Sequence, residues 1–492
     1  MTPSRLVTLR FRLLVAAALC GARPAPAQAP LTLTLQDALA LAFHQGAPAV
    51  AALGARDAAR SRDRLFQSQF LPSLTIGGAS VPAYTRSISP VVQPDGSTQY
   101  LPVQQSIAGL TANIVQQVPW TNSTLTFSSG LNEVQVSGLT GIRTWSATPF
   151  QVGLSQPLFR ANRFSWDLRQ QDLRYTSAER KYLEAREDVG TAVTNAFFDV
   201  HGAALTLKNA EFNAATNDTL YTLNKGRLEV GKIGENDLLQ SELALLRARS
   251  ALDDARLGYD RSLAQLRIVL SLAPGAPVQL AVTNAVPLFD ADTAVAVRQA
   301  RRNSSAMTDA EASEVQADRA LSEARWNTGA GGNLSASYGY NATASRAPDA
   351  YKNLLDAQQL TVAVNIPVWQ WGAHSAAMEA ARADRRSAQG TAKLARAQTE
   401  SNAYFAALQL GQARRALTIA AKADTVGTKR FEVALNRYGI SKITIDNLFI
   451  AQNEKDQALA SYVQSLRGYW LAYFQLRKAT LYDFEIGQPI RP

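Results

Sequence analysis

The chain repeats itself over a long stretch. Gln156-Pro157-Leu158-Phe159 recurs as Ile366-Pro367-Val368-Trp369, and the 74-residue spacing from Pro157 to Gly231 is matched from Pro367 to Ser441. At that offset Arg227, Lys232, Ile233 and Leu238 find counterparts in Arg437, Lys442, Ile443 and Leu448, each 210 residues on. One supersecondary unit has been built twice, so the fold must accommodate two like units stacked against each other.

Periodicity says what the unit is. Tyr175, Ala178, Tyr182, Ala185, Val189, Ala192, Ala196, Val200, Ala203, Leu207, Ala210 and Ala214 step by three or four, a seam of nearly 3.5-residue period that marks packed, supercoiled helices. Ala403, Ala406, Leu410, Ala413, Leu417 and Ala420 repeat it in the second half. The pattern predicts helices over 35–70, 160–228 and 235–271, then over 293–327, 370–437 and 445–481. At about 1.5 Å per residue each long helix extends roughly 100 Å and each short one about half of that. Two short helices placed end to end therefore flank one long helix, giving a rod. The Pro-containing apolar segment 272–292 links the halves near the rod's middle. The expected division is a signal peptide at 1–27, a first repeat at 28–271, an equatorial linker at 272–292, a second repeat at 293–481 and a tail at 482–492.

Between the incoming short helix and the long one, the period changes to two. Leu334, Ala336, Tyr338 and Tyr340 alternate with Asn333, Ser335, Ser337 and Gly339, and Leu360, Val362, Val364 and Ile366 alternate with Thr361, Ala363 and Asn365. Each run has about the 9–11 residues of a tilted membrane-spanning strand, with one face for lipid and one for a polar lumen. The first half is less regular, with strand-like runs at 74–84, 107–117, 125–136 and 150–156 and a polar, Pro-bearing stretch at 87–105 that reads as an exposed loop. Its excess of about fifty residues is either an extracellular decoration or a lengthened hairpin. A few strands cannot close in lipid, where open edges are not tolerated, so a spanning role requires several copies.

Arg5, Arg10 and Arg12, then a short apolar run to Cys20, then Ala25-Pro26-Ala27, read as a secretory signal cleaved near Gln28. Cys20 sits inside that signal, preceded by Leu19. It is the one cysteine, so no disulfide framework is available. The histidines, His44, His201 and His374, are scattered, which leaves little material for metal clusters or histidine catalysis, and no nucleophile, base and orienter can be assembled. No cofactor and no catalytic or metal-binding residue is expected. The net charge of +10 includes four arginines of the signal, and the remaining surplus is spread along helices without a dense basic tract, which argues against nucleic-acid binding.

Several short motifs occur in a specific order: Leu33-Thr34-Leu35-Gln36-Asp37-Ala38-Leu39-Ala40-Leu41-Ala42, Phe70-Leu71-Pro72-Ser73-Leu74, the paired Gln-Pro-Leu-Phe and Ile-Pro-Val-Trp, and two turns near 227–239 and 437–448. Together they resemble the TolC-type outer-membrane factor family over essentially the whole mature chain. The resemblance implies an α+β membrane protein, a homotrimer in which four strands per copy build a 12-stranded antiparallel β-barrel above a periplasmic tunnel of long coiled-coil helices. It implies an exit duct of a tripartite efflux pump or type I secretion system, docked to a periplasmic adaptor and an inner-membrane transporter, surrounded by outer-membrane lipid and performing no covalent chemistry.

On the same resemblance the two helical turns become the periplasmic tips that meet the adaptor, carried by Arg227, Gly231, Lys232, Ile233, Gly234, Asp237 and Leu238 in the first and by Arg437, Ser441, Lys442, Ile443, Asp446 and Leu448 in the second. Gly231 and Gly234 suit a reversal that needs positive φ. The second tip departs from the family pattern, with Ser441 in place of glycine and Asp446 one position ahead of Asn447; Asp446 and Asn447 are the aperture candidates. Asp237 and Asp446 also suit simple capping of helix N-termini. The rival class is a periplasmic coiled-coil adaptor or structural protein without a pore, against which stand two matched long helices with flanking half-helices.

Overall fold

A computed structural model describes residues 31–78, 83–137, 141–281, 286–287, 289–440 and 442–491. The signal at 1–27 and Ser441 lie outside the described residues. A short strand β1 (Leu31–Leu33) leads into α1 (Leu35–Gln45) and α2 (Ala47–Ser68). Thr34 starts α1 with a capping box: its hydroxyl accepts from the Asp37 amide at 3.1 Å, and its own amide donates to the Asp37 carboxylate at 3.1 Å. The Thr34 hydroxyl, which donates to the same carboxylate at 2.6 Å, and the Thr34 amide hold the Asp37 carboxyl below its ordinary value.

The single helix expected over 35–70 is broken at Gly46, where the backbone turns extended and Pro48 sits in the first turn of α2; the two pieces meet at 47°. The helix expected over 293–327 breaks in the same way. Strand β7 (Val278–Leu280) is followed by α5 (Thr293–Asn303) and α6 (Ser305–Asn327), with extended Ser304 closing one and capping the other. Both leading pieces have 11 residues.

The long helices form as the 3.5-residue seam requires. Helix α3 (Arg163–Glu229) and helix α7 (Ala373–Gly439) each have 67 residues, roughly 100 Å, and α4 (Glu235–Val269) and α8 (Ile445–Thr480) return along them. Helix α3 is flanked by α2 and α4 on one side and by α6 and α8 on the other; α7 packs on α5, α6 and α8. Among the described residues no single helix is long and apolar enough to cross a membrane.

The main core lies at mid-rod. Val193, Phe197 and Val200 of α3, Leu266 of α4 and Leu466, Tyr469 and Leu476 of α8 are nearly inaccessible, and β1 pairs with β7 in parallel beside them. The aromatic run Tyr462, Tyr469, Trp470, Tyr473 and Phe474 belongs to this packing. Burial pushes the Tyr469 hydroxyl up to about 12, and it donates to the Pro287 carbonyl of the segment joining the halves. The same segment is held by Arg267, which donates to the Ala276 carbonyl at 2.8 and 3.0 Å, and by an Asp290–Arg414 ion pair at 2.7 Å. At Gly190 a Cβ would lie 2.7 Å from the Phe474 ring. Gly190→Leu should therefore cost about 1–3 kcal/mol through overpacking, read as a lowered unfolding midpoint.

Strands β2 (Ser73–Gly77), β3 (Ala83–Val92), β4 (Thr98–Val118), β5 (Ser123–Ser137) and β6 (Ile142–Leu158) precede α3; β8 (Gly331–Ala344) and β9 (Leu355–Asn365) precede α7. They make one antiparallel sheet in the order β2-β4-β5-β6-β8-β9, with β3 on the same edge of β4 as β2. Two expectations change here. The run 74–84 is interrupted: a Cβ at Gly78 would stand 2.0 Å from the Gly109 carbonyl oxygen, and β2 and β3 follow one another along β4 as an interrupted strand. The stretch 87–105 is not a loop but the β3–β4 hairpin, turning at Asp95-Gly96, where Gly96 has φ +81. The excess of the first half thus lengthens one hairpin and adds strands, so the sheet has six strand positions where four were expected. A tail hairpin, β10 (Tyr482–Asp483) with β11 (Gln488–Pro489), ends the chain.

Candidate channel wall and tip turns

Strand register sorts the sheet's side chains onto two unlike faces. Leu74, Ile114, Phe127, Val152 and Tyr338 lie side by side across β2, β4, β5, β6 and β8, ending at Gln358 on β9. The next rung on that face runs Gln116, Leu125, Leu154, Ala336, Leu360. Leu74 and Leu360 are 64% and 73% exposed, which no water-soluble sheet would arrange in a continuous band. The opposite face runs Thr75, Asn113, Ser128, Gln151, Gly339, Ala357, flanked by Val115, Thr126, Gly153, Ser337, Gln359. Apart from Val115, these rungs are hydroxyls, amides and small residues, and none carries an acidic or basic group. Apolar out and polar in is the pattern of a β-wall in lipid.

At the far end of the rod, α3 closes in a Schellman turn. The Lys232 amide donates to the Arg227 carbonyl at 2.8 Å and the Gly231 amide to Leu228 at 2.9 Å, with Gly231 at φ +69. Helix α7 has the matching bond, Lys442 amide to Arg437 carbonyl, at 2.9 Å. Gly234 differs from expectation: its φ is −83, an extended N-cap conformation open to any residue. The Asp237 carboxylate accepts from the Gly234 amide at 3.4 Å, a helix-capping position.

A small separate core joins the two tips. Leu220, Phe431, Ala434, Tyr438, Ile445, Leu448 and Ala451 pack together, with Ile443 partly buried against them. Leu448 is fully enclosed in this cluster, where its packing holds the tip together. Ile233, Asp237, Leu238 and Arg227 are half-buried, and the Arg227 guanidinium lies 5.3 Å from the Tyr438 ring centre. Gly231, Lys232, Gly234, Arg437, Lys442, Asp446 and Asn447 are exposed. Two polar ties were missed from sequence: the Tyr438 hydroxyl donates to Asn224 Oδ1 at 3.0 Å, and Gln240 Nε2 donates to the Asp446 carboxylate across the tips. Asn447 donates to the Thr444 hydroxyl at 2.9 Å. Only the 210-residue offset hinted that these turns face each other.

A third constellation lies mid-rod and was also missed. Arg477 of α8 reaches Glu187 of α3 at 3.0 Å and pairs with Asp483 of the tail. Burial drives the Glu187 carboxyl upward against the pull of the guanidinium. The neighbouring carboxylates keep Arg477 charged.

A two-faced β-wall is set on a long helical rod. Residues 103–271 match the family described as Outer membrane efflux protein. The crystal structure of the Campylobacter jejuni CmeC outer membrane channel is similar over 93% of this chain and 87% of its own, with TM-score 0.65 and 14% identity. The outer membrane protein VceC from Vibrio cholerae gives 0.64 at 12% identity over 91% and 95%. The open state of the Neisseria gonorrhoeae MtrE outer membrane channel gives 0.59 at 14% over 91% and 88%. At these identities the structural likeness is one of fold. No curated relative matches the sequence. The resemblance to TolC-type outer-membrane factors, with an outer-membrane location and a periplasmic helical portion, is borne out by the family match together with this fold.

Proposed function

We propose that the chain is one protomer of a homotrimeric exit duct that passively conducts substrates from periplasm to exterior when docked to a periplasmic adaptor and an inner-membrane transporter, in a tripartite efflux pump or type I secretion system. The observation that supports this best is the sheet itself: among the described residues it has an exposed apolar face, a polar face without charge, and outer edges on β2/β3 and β9 that lack a strand partner. Such edges in lipid leave several backbone groups unsatisfied, and pairing with further copies removes that cost. The two halves at 28–271 and 293–481 act as repeats around the linker at 272–292. In this reading Gly231, Lys232, Gly234, Arg437 and Lys442 present the adaptor-facing surface, and Asp446 and Asn447 rim the aperture.

Extraction and conductance test the duct. The protein should require detergent, sediment as a trimer and conduct ions across a planar bilayer; a water-soluble monomer would end the reading. Docking is tested at Gly231, where a Cβ meets nothing within 4 Å but φ is +69. Gly231→Val should strain the turn by about 1–2 kcal/mol, leave trimers intact and weaken export. Unchanged drug susceptibility with normal assembly would count against a docking role for this turn.

A further inference from the structure

The β4–β5 hairpin carries an inference that rests on the trimeric reading and goes beyond it. Strand β4 runs back from the outer end to Val118, the chain turns through 119–122, and β5 runs outward again from Ser123. That turn lies against the start of α3: Asn162 donates to the Pro119 carbonyl at 2.8 Å, and Gln156 donates to the Thr121 carbonyl at 2.8 Å. The hairpin is therefore anchored at the helix-proximal end of the wall, not perched at the outer end. It stands between β2 and β6 in the sheet, with fifteen consecutive paired positions between β4 and β5.

Its side chains continue both faces of the wall. Leu110, Ala112 and Ile114 of β4 lie beside Leu131, Ser129 and Phe127 of β5 on the apolar side. Thr111 and Asn113 lie beside Gly130 and Ser128 on the polar side. Leu110 is 62% exposed. A decoration standing in water gains nothing from such a face, and a plug inside a lumen would expose it to water on both sides.

We infer that both strands are wall strands, so that three copies close a barrel of eighteen strands and not the twelve that the family resemblance implies. Strands about 4.8 Å apart and tilted by about 40° each occupy about 6 Å of circumference. Eighteen give a circumference of about 110 Å against about 75 Å for twelve, a backbone-to-backbone width of roughly 35 Å instead of roughly 24 Å. A wall of this size leaves an aqueous channel. The ligand class that fits is a bulky hydrophilic solute in transit, passing between neutral hydroxyl and amide groups.

Single-cysteine labelling of the full-length chain in lipid nanodiscs tests the count, with the parent chain as background. Leu110→Cys and Phe127→Cys should react with a membrane-dissolved maleimide and at least about tenfold more slowly with a charged, impermeant one, while Asn113→Cys and Ser128→Cys should show the reverse preference. Leu360→Cys and Thr361→Cys on β9, a wall strand in either count, serve as controls. If the β9 pair partitions as stated but Leu110→Cys and Phe127→Cys react readily with the charged reagent, the eighteen-strand wall is overturned and the trimeric barrel stands. If the β9 pair fails to partition, or the particle is not a trimer, the duct reading falls and the strand count falls with it.

Discussion

Arg477→Leu should lower folding stability by about 3–5 kcal/mol, because it leaves a buried carboxylate without its counter-charge. The Arg477, Glu187 and Asp483 side chains are 18%, 7% and 15% exposed, so water cannot replace the lost partner. Arg477 also donates to the Tyr473 hydroxyl at 3.1 Å, and the cluster ties α8, α3 and the tail together at mid-rod. The sign of the pH dependence follows from Glu187, whose carboxyl burial already pushes upward. Removing the guanidinium raises it further, so the folded variant prefers the protonated acid. Its deficit should be smallest below the ordinary carboxylate range and grow as pH rises through the raised folded value. Thermal unfolding in detergent, followed by circular dichroism at acid and alkaline pH, checks this. Adding Glu187→Gln should recover part of the loss; an equal midpoint for the parent and Arg477→Leu at pH 8 would refute the account.

Leu448→Ala should cost about 2–5 kcal/mol, confined to the tips. Leu448 is inaccessible, and its cluster of Leu220, Phe431, Tyr438, Ile445 and Ala451 is separate from the mid-rod core. A cavity there loosens the grip of α8 on α3 and α7 without reaching the core around Phe197 and Tyr469. Amide hydrogen exchange should quicken over 220–230 and 431–451 and stay unchanged around 190–200. In the duct reading, a loosened tip should also raise the resting conductance in a planar bilayer. Uniform exchange across both regions would show that the tips do not open independently.

The helices were legible in the sequence because small residues at a 3.5-residue period leave few alternatives: α3, expected over 160–228, forms over Arg163–Glu229, and α7, expected over 370–437, forms over Ala373–Gly439. The breaks were not read. At Gly46 the local signal, Gly46-Ala47-Pro48, is overlaid by an apolar period that continues through it. At Ser304 the break depends on tertiary structure: Glu184 of α3 accepts from the Ser305 amide at 2.9 Å and from its hydroxyl at 2.7 Å, bonds that no local pattern encodes. The hairpin at 87–105 is hidden in the sequence because Pro90 and Pro102 oppose strand structure. Pro90 is tolerated because β3 is an edge strand, and Pro102 pairs with Ile88 in the same hairpin. At the tips, the reversal at Gly231 was legible from its glycine, whereas the enclosure of Leu448 follows from the meeting of two turns far apart in the chain.

The uncharged rungs of Thr75, Asn113, Ser128 and Gln151 bear on how sorting is divided along the route. Side chains with no fixed ionic groups neither concentrate nor repel electrolytes, so under a salt gradient the strand-lined section should contribute a reversal potential near zero. Discrimination between cargoes then falls to the loading end, and the outer section acts as an indifferent aqueous spout.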